Sequence, residues 1–274
     1  FEPILKNYKL SVTHLNNFID LRDAGPQYFL VHNLLRFPEA MAPAAAYGDA
    51  VHKTLQWAYM QFRQSEQLTG MATALTYFDD MLARKHLRES DYIRLEGRGH
   101  EALRRYLKQR SKTFKASDII ERGFNNEGVV VNGAHLSGKI DKLRLQDGRA
   151  IVTDFKTGKP ARTWQGKDEY ERLKLHKYRQ QLLFYKLLVE YSASYSKRAT
   201  VQAGALEFIE PDEQGQLIDN LELDFQPQEL QHFVHLIGAV WQHIMSLQFP
   251  DVSQYPATTK GVMQFEQDLI DGKI

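Results

Sequence analysis

The sequence predicts a mixed α/β fold in which helices cover a β-sheet and the N-terminal end adds a further helical part. Three observations carry this prediction. Apolar residues recur every three or four positions through most of the first 115 residues, the period changes to alternation at Ser117, and beyond Leu175 a helix, two strands and a second helix follow in turn. The 274 residues, 43% hydrophobic and 25% charged, suffice for a sizeable core. Lys+Arg number 35 and Asp+Glu 34, a net charge of +1, so any surface for a polyanion must be local. There is no apolar run of about 18 residues and no charged-then-apolar leader, which predicts a cytoplasmic chain without a membrane span. Zero cysteines exclude disulfides, thiolate zinc sites and cysteine-ligated iron–sulfur clusters. The start at Phe1 suggests a piece of a longer polypeptide.

Taken in order, residues 1–10 read as an extended lead-in. Ser11 or Thr13 caps a helix through about Asp23, which Gly25-Pro26 breaks before a short helix from Gln27 to Leu35. The Pro/Ala stretch from Phe37 to Ala46 reads as a loop. From Tyr47 a long helix places Gly48, Val51, His52, Leu55 and Tyr59 on one stripe, and two more helical segments cover roughly 71–88 and 91–112. Asp118–Phe124, Gly128–Val131, His135–Leu145 and Arg149–Phe155 then form a three- or four-strand antiparallel run, with Asp147-Gly148 as a hairpin turn. A polar loop leads to a helix from Leu175 to Tyr195, strands over Ala199–Ile209 and Gln216–Phe225, and a helix over Pro227–Leu247. The tail after Phe249 is irregular, with a short helix around Met263–Ile270.

The chemistry centres on the hairpin. Asp154 and Lys156 lie two apart on one strand and share a face, Phe155 points the other way, and Asp141 on the neighbouring strand joins them. Alternating charges usually decorate a solvated strand, but Ile-Val-Thr-Asp-Phe-Lys is apolar enough to be buried. A buried carboxylate and ammonium need pairing or a metal ion. Two carboxylates with an amine beside them would hold a hard divalent cation at a phosphodiester-cutting site. His52 taken alone reads as a core histidine, but Gly48 one turn earlier opens that face to close approach, and an added imidazole suits Mn²⁺ as well as Mg²⁺. Gln181 and Tyr185 lie four apart on one helix stripe, one turn after Lys177. From Lys156 to Arg179 there are eight Lys/Arg against three acids. Lys159, Arg162, Lys174 and Lys177, with Trp164 among them, read as a track for single-stranded nucleic acid. Glu121, on the first strand, is a further carboxylate with two readings, one facing the site and one, the favoured one, at the surface.

In order along the chain, Gly48-x-x-x-His52, Gly138-Lys139-Ile140-Asp141, Asp154-Phe155-Lys156-Thr157-Gly158 and Gln181-Leu182-x-x-Tyr185 resemble the PD-(D/E)XK nuclease superfamily, most closely its RecB-like branch. The stretch from Leu10 through Leu30 is similar to that branch's first helices. The resemblance implies a restriction-endonuclease-like core with a central mixed sheet, in one domain over 1–274. Residues 1–115 would be the helical part carrying His52, 116–250 the nuclease core and 251–274 the tail. It also implies His52, Asp141, Asp154 and the Phe155 carbonyl as ligands of Mg²⁺ or Mn²⁺. Lys156 would orient or activate the attacking water, with Gln181 and Tyr185 shaping the site. The implied partners are DNA, preferentially single-stranded, and a UvrD-like helicase in the same or a partner chain, with no membrane. Many relatives of that branch bind an iron–sulfur cluster, whose first cysteine position falls here at Gly25. Without cysteines the two ends need another means of docking, for which Val262, Phe265, Leu269 and Ile270 are candidates.

These readings make a metal-dependent deoxyribonuclease in repair or recombination the first expectation. A catalytically silent single-stranded-DNA-binding module of a helicase is the alternative, and a protein-interaction domain the third.

Overall fold

Residues 1–67 and 70–274 are described by a computed structural model. The alternating stretch after Ser117 builds the sheet. Its strands are β1 (Ile119–Gly123), β4 (Lys139–Gln146), β5 (Arg149–Lys156), β6 (Thr200–Phe208) and β7 (Leu221–Asp224), in the spatial order β1-β4-β5-β6-β7. β5 and β6 are parallel and the other pairs antiparallel, so the sheet is mixed. Of the expected three- or four-strand antiparallel run, β1, β4 and β5 form three strands, while two short strands, β2 (Val130–Val131) and β3 (Ala134–His135), pair with each other outside the sheet, so Gly128–Val131 does not add a fourth.

A parallel neighbour requires a crossover, and α7 (Glu169–Glu190) supplies it. Its Leu182, Leu183, Leu187 and Leu188 lie in one core cluster with Ile140, Val152 and Leu206 of the sheet. The opposite face, through Phe155 and Ile209, joins a second cluster made by α4 (Pro43–Ser65), α5 (Met71–Ala83) and α6 (Glu89–Arg110). The sheet is thus the middle of three layers. Where the helical layer meets it, buried Glu207 accepts a hydrogen bond from the Tyr106 hydroxyl at 2.7 Å and pairs with buried Lys142, so neither charge is left uncompensated.

Several boundaries differ from the expectation for local reasons. Residues Glu2–Lys6 form a helix (α1) rather than an extended lead-in. α4 begins at Pro43, inside the expected loop, because proline fits the first helical turn and the alanines after it are strong helix formers. α7 begins at Glu169, before Leu175, because Asp168 caps it by accepting from the Glu171 N–H at 2.8 Å; Lys174 and Lys177 are therefore helical. Ser11 caps α2 (Val12–Ile19), and after Gly25 a turn of helix, α3 (Pro26–Tyr28), runs into a π-helical segment over Phe29–Leu34.

The two ends of the chain meet beside α7. Phe249, just beyond α8 (Pro227–Met245), lies 6.5 Å from Phe18 and 6.3 Å from Phe29 by ring centroids. The last helix, α9 (Thr259–Ile270), buries Val262, Phe265 and Leu269. Its buried Glu266 accepts from Gln180 at 2.7 Å and lies 2.8 Å from His176 Nε2, both on α7. Among the described residues no helix is long and apolar enough to cross a membrane.

Burial works against the charged His176 imidazole, but the Glu266 carboxylate outweighs it and the pKa is raised. A raised folded-state pKa gives stability that is complete below the ordinary histidine range and lost as pH rises through the folded value. The stability advantage of the wild-type chain over His176→Gln should therefore be larger at pH 6 than at pH 9, measured by urea unfolding at both. An advantage that is constant or grows with pH contradicts the charged pair.

Candidate metal centre

The antiparallel register of β4 and β5 runs from Gln146↔Arg149 to Lys142↔Thr153 and stops there. One step further along the same register Asp141 and Asp154 stand opposite each other, where the strands part. The Phe155 N–H donates to Asp141 Oδ2 at 2.8 Å, so a side chain takes over the role of a ladder carbonyl. The Phe155 carbonyl lies 2.9 Å from His52 Nε2 on α4. The main chain of one residue, through the two peptide units that flank its Cα, thus ties an acid of β4 to an imidazole of the helical layer.

Glu121 joins this group, which corrects its reading as a surface carboxylate. Its backbone is left-handed at φ 54, rare for a residue with a side chain, and it falls opposite Asp141 at the gap in the β1–β4 register. The kink turns the carboxylate inward, to 6% side-chain exposure, 3.9 Å from His52 Nδ1 and in an ion pair with Lys139. His52 Nδ1 is 3.5 Å from Asp141 Oδ2. His52, Glu121 and Asp141 each bring one potential ligand atom within 4.8 Å of the others.

Asp154 heads the adjoining group. Its Oδ1 accepts from Gln181 Nε2 at 2.5 Å and from the Tyr185 hydroxyl at 2.9 Å, so the i, i+4 pair on α7 meets the strand acid directly. Lys156 Nζ donates to Gln181 Oε1 at 2.6 Å and lies 2.7 Å from Asp154 Oδ2. That contact lacks hydrogen-bond geometry, and Asp154 Oδ2 is a buried oxygen with no hydrogen-bond partner. Tyr178, one turn before Gln181, places its ring centroid 3.8 Å from Lys156 Nζ. The sequence reading missed Tyr178; its position three residues before Gln181 on the same helix was the available signal. Gly48 also has its place, since a Cβ there would lie 3.2 Å from Thr157 Oγ1.

The electrostatics concentrate negative charge. Burial raises the Asp141 pKa, and the charge of Asp154 raises it further. Burial would push His52 down, but the carboxylates of Asp141 and Glu121 beside its ring and the charge of Asp154 hold it at about 10. Burial also opposes ionisation of Glu121, yet His52 and Lys139 keep its pKa below the ordinary range. Burial beside Asp154 pushes the Tyr185 phenol far up, so it stays a donor. Buried carboxylates, an imidazole and a main-chain carbonyl, with no thiolate in the chain, suit a hard or borderline divalent cation, and the orphaned Asp154 oxygen is a donor that such an ion would satisfy.

The expected nucleic-acid track lies beside this centre, with its cations engaged inside the chain. Lys159 pairs with Glu213 at 2.7 Å, Arg162 with Asp212 at 2.5 Å and Lys177 with Asp20 at 2.5 Å. Lys174 donates to the Lys159 carbonyl at 3.1 Å, and Trp164 Nε1 to the Glu222 carbonyl at 2.7 Å. Lys159 and Arg162 line a cleft of about 690 Å³ together with Arg98, Glu210, Asp212 and Glu213.

Comparison with known proteins adds three findings. No curated protein matches the chain. A solved structure described as the crystal structure of SSO0001 aligns over 90% of this chain and 86% of its own, at 16% identity and a TM-score of 0.29. The model of the PD-(D/E)XK nuclease superfamily matches residues 9–259, a span that includes every group of the centre described above, and the chain belongs to that superfamily.

Proposed function

We propose that the chain is a Mg²⁺- or Mn²⁺-dependent deoxyribonuclease of the RecB-like branch. It cuts single-stranded or unwound DNA in repair or recombination, within or beside a UvrD-like helicase. One observation carries this reading: a buried set of acids shares the parted ends of β4 and β5 with an imidazole, and an ammonium is fixed beside them by three neighbours. The interleaved Lys/Arg and aromatic residues from Lys156 to Arg179 support DNA as the substrate.

His52, Asp141, Asp154 and the Phe155 carbonyl would hold the cation, with Glu121 as a further carboxylate at its edge. When bound, a divalent cation supplies charge that polarises the scissile phosphate and makes its water more acidic. Lys156, steadied by Asp154, Gln181 and the Tyr178 ring, holds the attacking water in line with phosphorus and meets charge that grows on the phosphate oxygens. Gln181 and Tyr185 fix the Asp154 rotamer from the α7 side, leaving Oδ2 for the reacting centre. Around Lys159, Arg162, Lys174 and Lys177 the strand's phosphates replace the chain's own acids and carbonyls as partners, which makes binding sensitive to salt.

Lys156→Ala and Asp154→Ala should each lower kcat on a labelled single-stranded oligonucleotide with Mn²⁺ by about 10²-fold or more. Cleavage at the wild-type rate removes both residues from the mechanism. Glu121→Gln should weaken Mn²⁺ binding by about 10–100-fold in a calorimetric titration. Unaltered affinity would return Glu121 to a purely structural role, that of partner to Lys139.

A further inference from the structure

A cavity of about 780 Å³ lies between the N-terminal segment, the first turn of α2, the end of the π-helical segment and the loops before β2 and β4. Its walls include Lys9, His14, Asn33, Arg36, Asn125 and Ser137, and no Asp or Glu lines it. In a chain with 34 acids this contrasts with the cleft lined by Lys159 and Arg162, where Asp212 and Glu213 face the cations. The Lys9 ammonium reaches the main-chain carbonyl of Asn125 and has no carboxylate. Arg36 is held in left-handed backbone at φ 59, and its charge acts on the cavity, since it joins burial in pushing the His14 pKa down. Asn33 Oδ1 is occupied by Asn17 Nδ2 at 3.0 Å, which leaves the Asn33 NH₂ group free to donate.

The charged and polar part of this lining is made of cations, amides and hydroxyls, and it stands against an apolar wall of Pro3, Ile4, Leu34 and Leu35. The aromatic rings that line the cavity are already engaged, Tyr8 between His14 and Trp241 with each ring centroid 5.8 Å away, and His14 edge-on to Phe29 at 5.9 Å, so a base finds no open ring pair to stack on. The chemistry of the cavity therefore matches a phosphodiester backbone, read without regard to sequence. Position points the same way. Ser137 precedes Asp141 by four residues, a stretch of chain that spans at most about 14 Å. Even at the stacked rise of about 3.4 Å per nucleotide found in a duplex, that is no more than about four phosphates, and fewer along an extended single strand.

We propose that this cavity is a second binding site for the phosphodiester backbone of the substrate strand, within about four nucleotides of the bond that is cut. The proposal rests on the reading of the chain as a DNA nuclease and adds a hold on the strand outside the metal centre.

The test measures fluorescence anisotropy of a 5′-labelled 16-nucleotide single strand in EDTA, with the full chain, over a range of salt. The double variant Lys9→Gln/Arg36→Gln is compared with Arg63→Gln/Arg84→Gln, which removes the same charge from exposed positions on the helical layer. The cavity variant should bind about tenfold more weakly at low salt, with the slope of log K against log salt shallower by about 1.4, since each phosphate contact contributes about 0.7 for a single strand. Each single variant should remove half of that slope, so the result does not depend on the double variant folding. Equal losses for cavity and control pairs, or a strand that does not bind the wild-type chain, overturn the proposal. Hydrolysis of bis(p-nitrophenyl) phosphate with Mn²⁺, a substrate too short to reach the cavity, should be the same in wild type and cavity variant, and selective loss there would overturn it too. If the strand binds with the expected slope differences but the wild-type chain hydrolyses neither substrate, the nuclease reading fails and the cavity assignment stands.

Discussion

The arrangement depends on the main chain of a single residue, Phe155. Its N–H reaches Asp141 and its carbonyl meets His52, at the point where β4 and β5 cease to pair. A sheet end ordinarily leaves such groups to water or a loop. Here they carry the layer-to-layer geometry of the site, while the Phe155 ring packs into the helical layer. Anything that moves α4 against the sheet therefore moves His52 against the acids. The buried Tyr106–Glu207–Lys142 set ties that helical layer to β6 and β4.

Charge explains why the site stays assembled although its acids are buried together. Carboxylates at low exposure repel one another, and burial alone would protonate them. His52, Lys139 and Lys156 supply compensating charge from three directions, and the phenol of Tyr185 and amide of Gln181 solvate one oxygen of Asp154. The left-handed backbone of Glu121 belongs to the same economy of position. Strained backbone at an acid that faces other acids persists only where the surroundings enforce it. At the far side of α7 the two chain ends are joined by aromatic packing and by the Glu266 contacts to His176 and Gln180.

Much of this was legible in the sequence because it follows from period. Side chains alternate on a strand, so Asp154 and Lys156 had to share a face, and helix spacing put Gln181 and Tyr185 on one stripe. The order of helix, strands and helix along the chain followed from the succession of periods, and the central mixed sheet from the family resemblance; the parallel pairing of β5 with β6 was not foreseen. What escaped was conformational or long-range. Nothing in Ile-Ile-Glu-Arg-Gly announces a positive φ at Glu121, so an acid that faces the site looked like a surface group. The partners of Lys159 and Arg162, at Glu213 and Asp212, lie some fifty residues further along the chain, and local charge counting could not find them. The early start of α4 and α7 was written in Pro43 and Asp168, but loop composition outweighed those single residues in the reading.

The most direct measurement is anomalous diffraction from crystals soaked in Mn²⁺. The account predicts a peak bounded by His52 Nε2, an oxygen each of Asp141 and Asp154 and the Phe155 carbonyl, with Lys156 Nζ beside it but not a ligand. A peak elsewhere, or none at saturating Mn²⁺ with these side chains ordered, would contradict it.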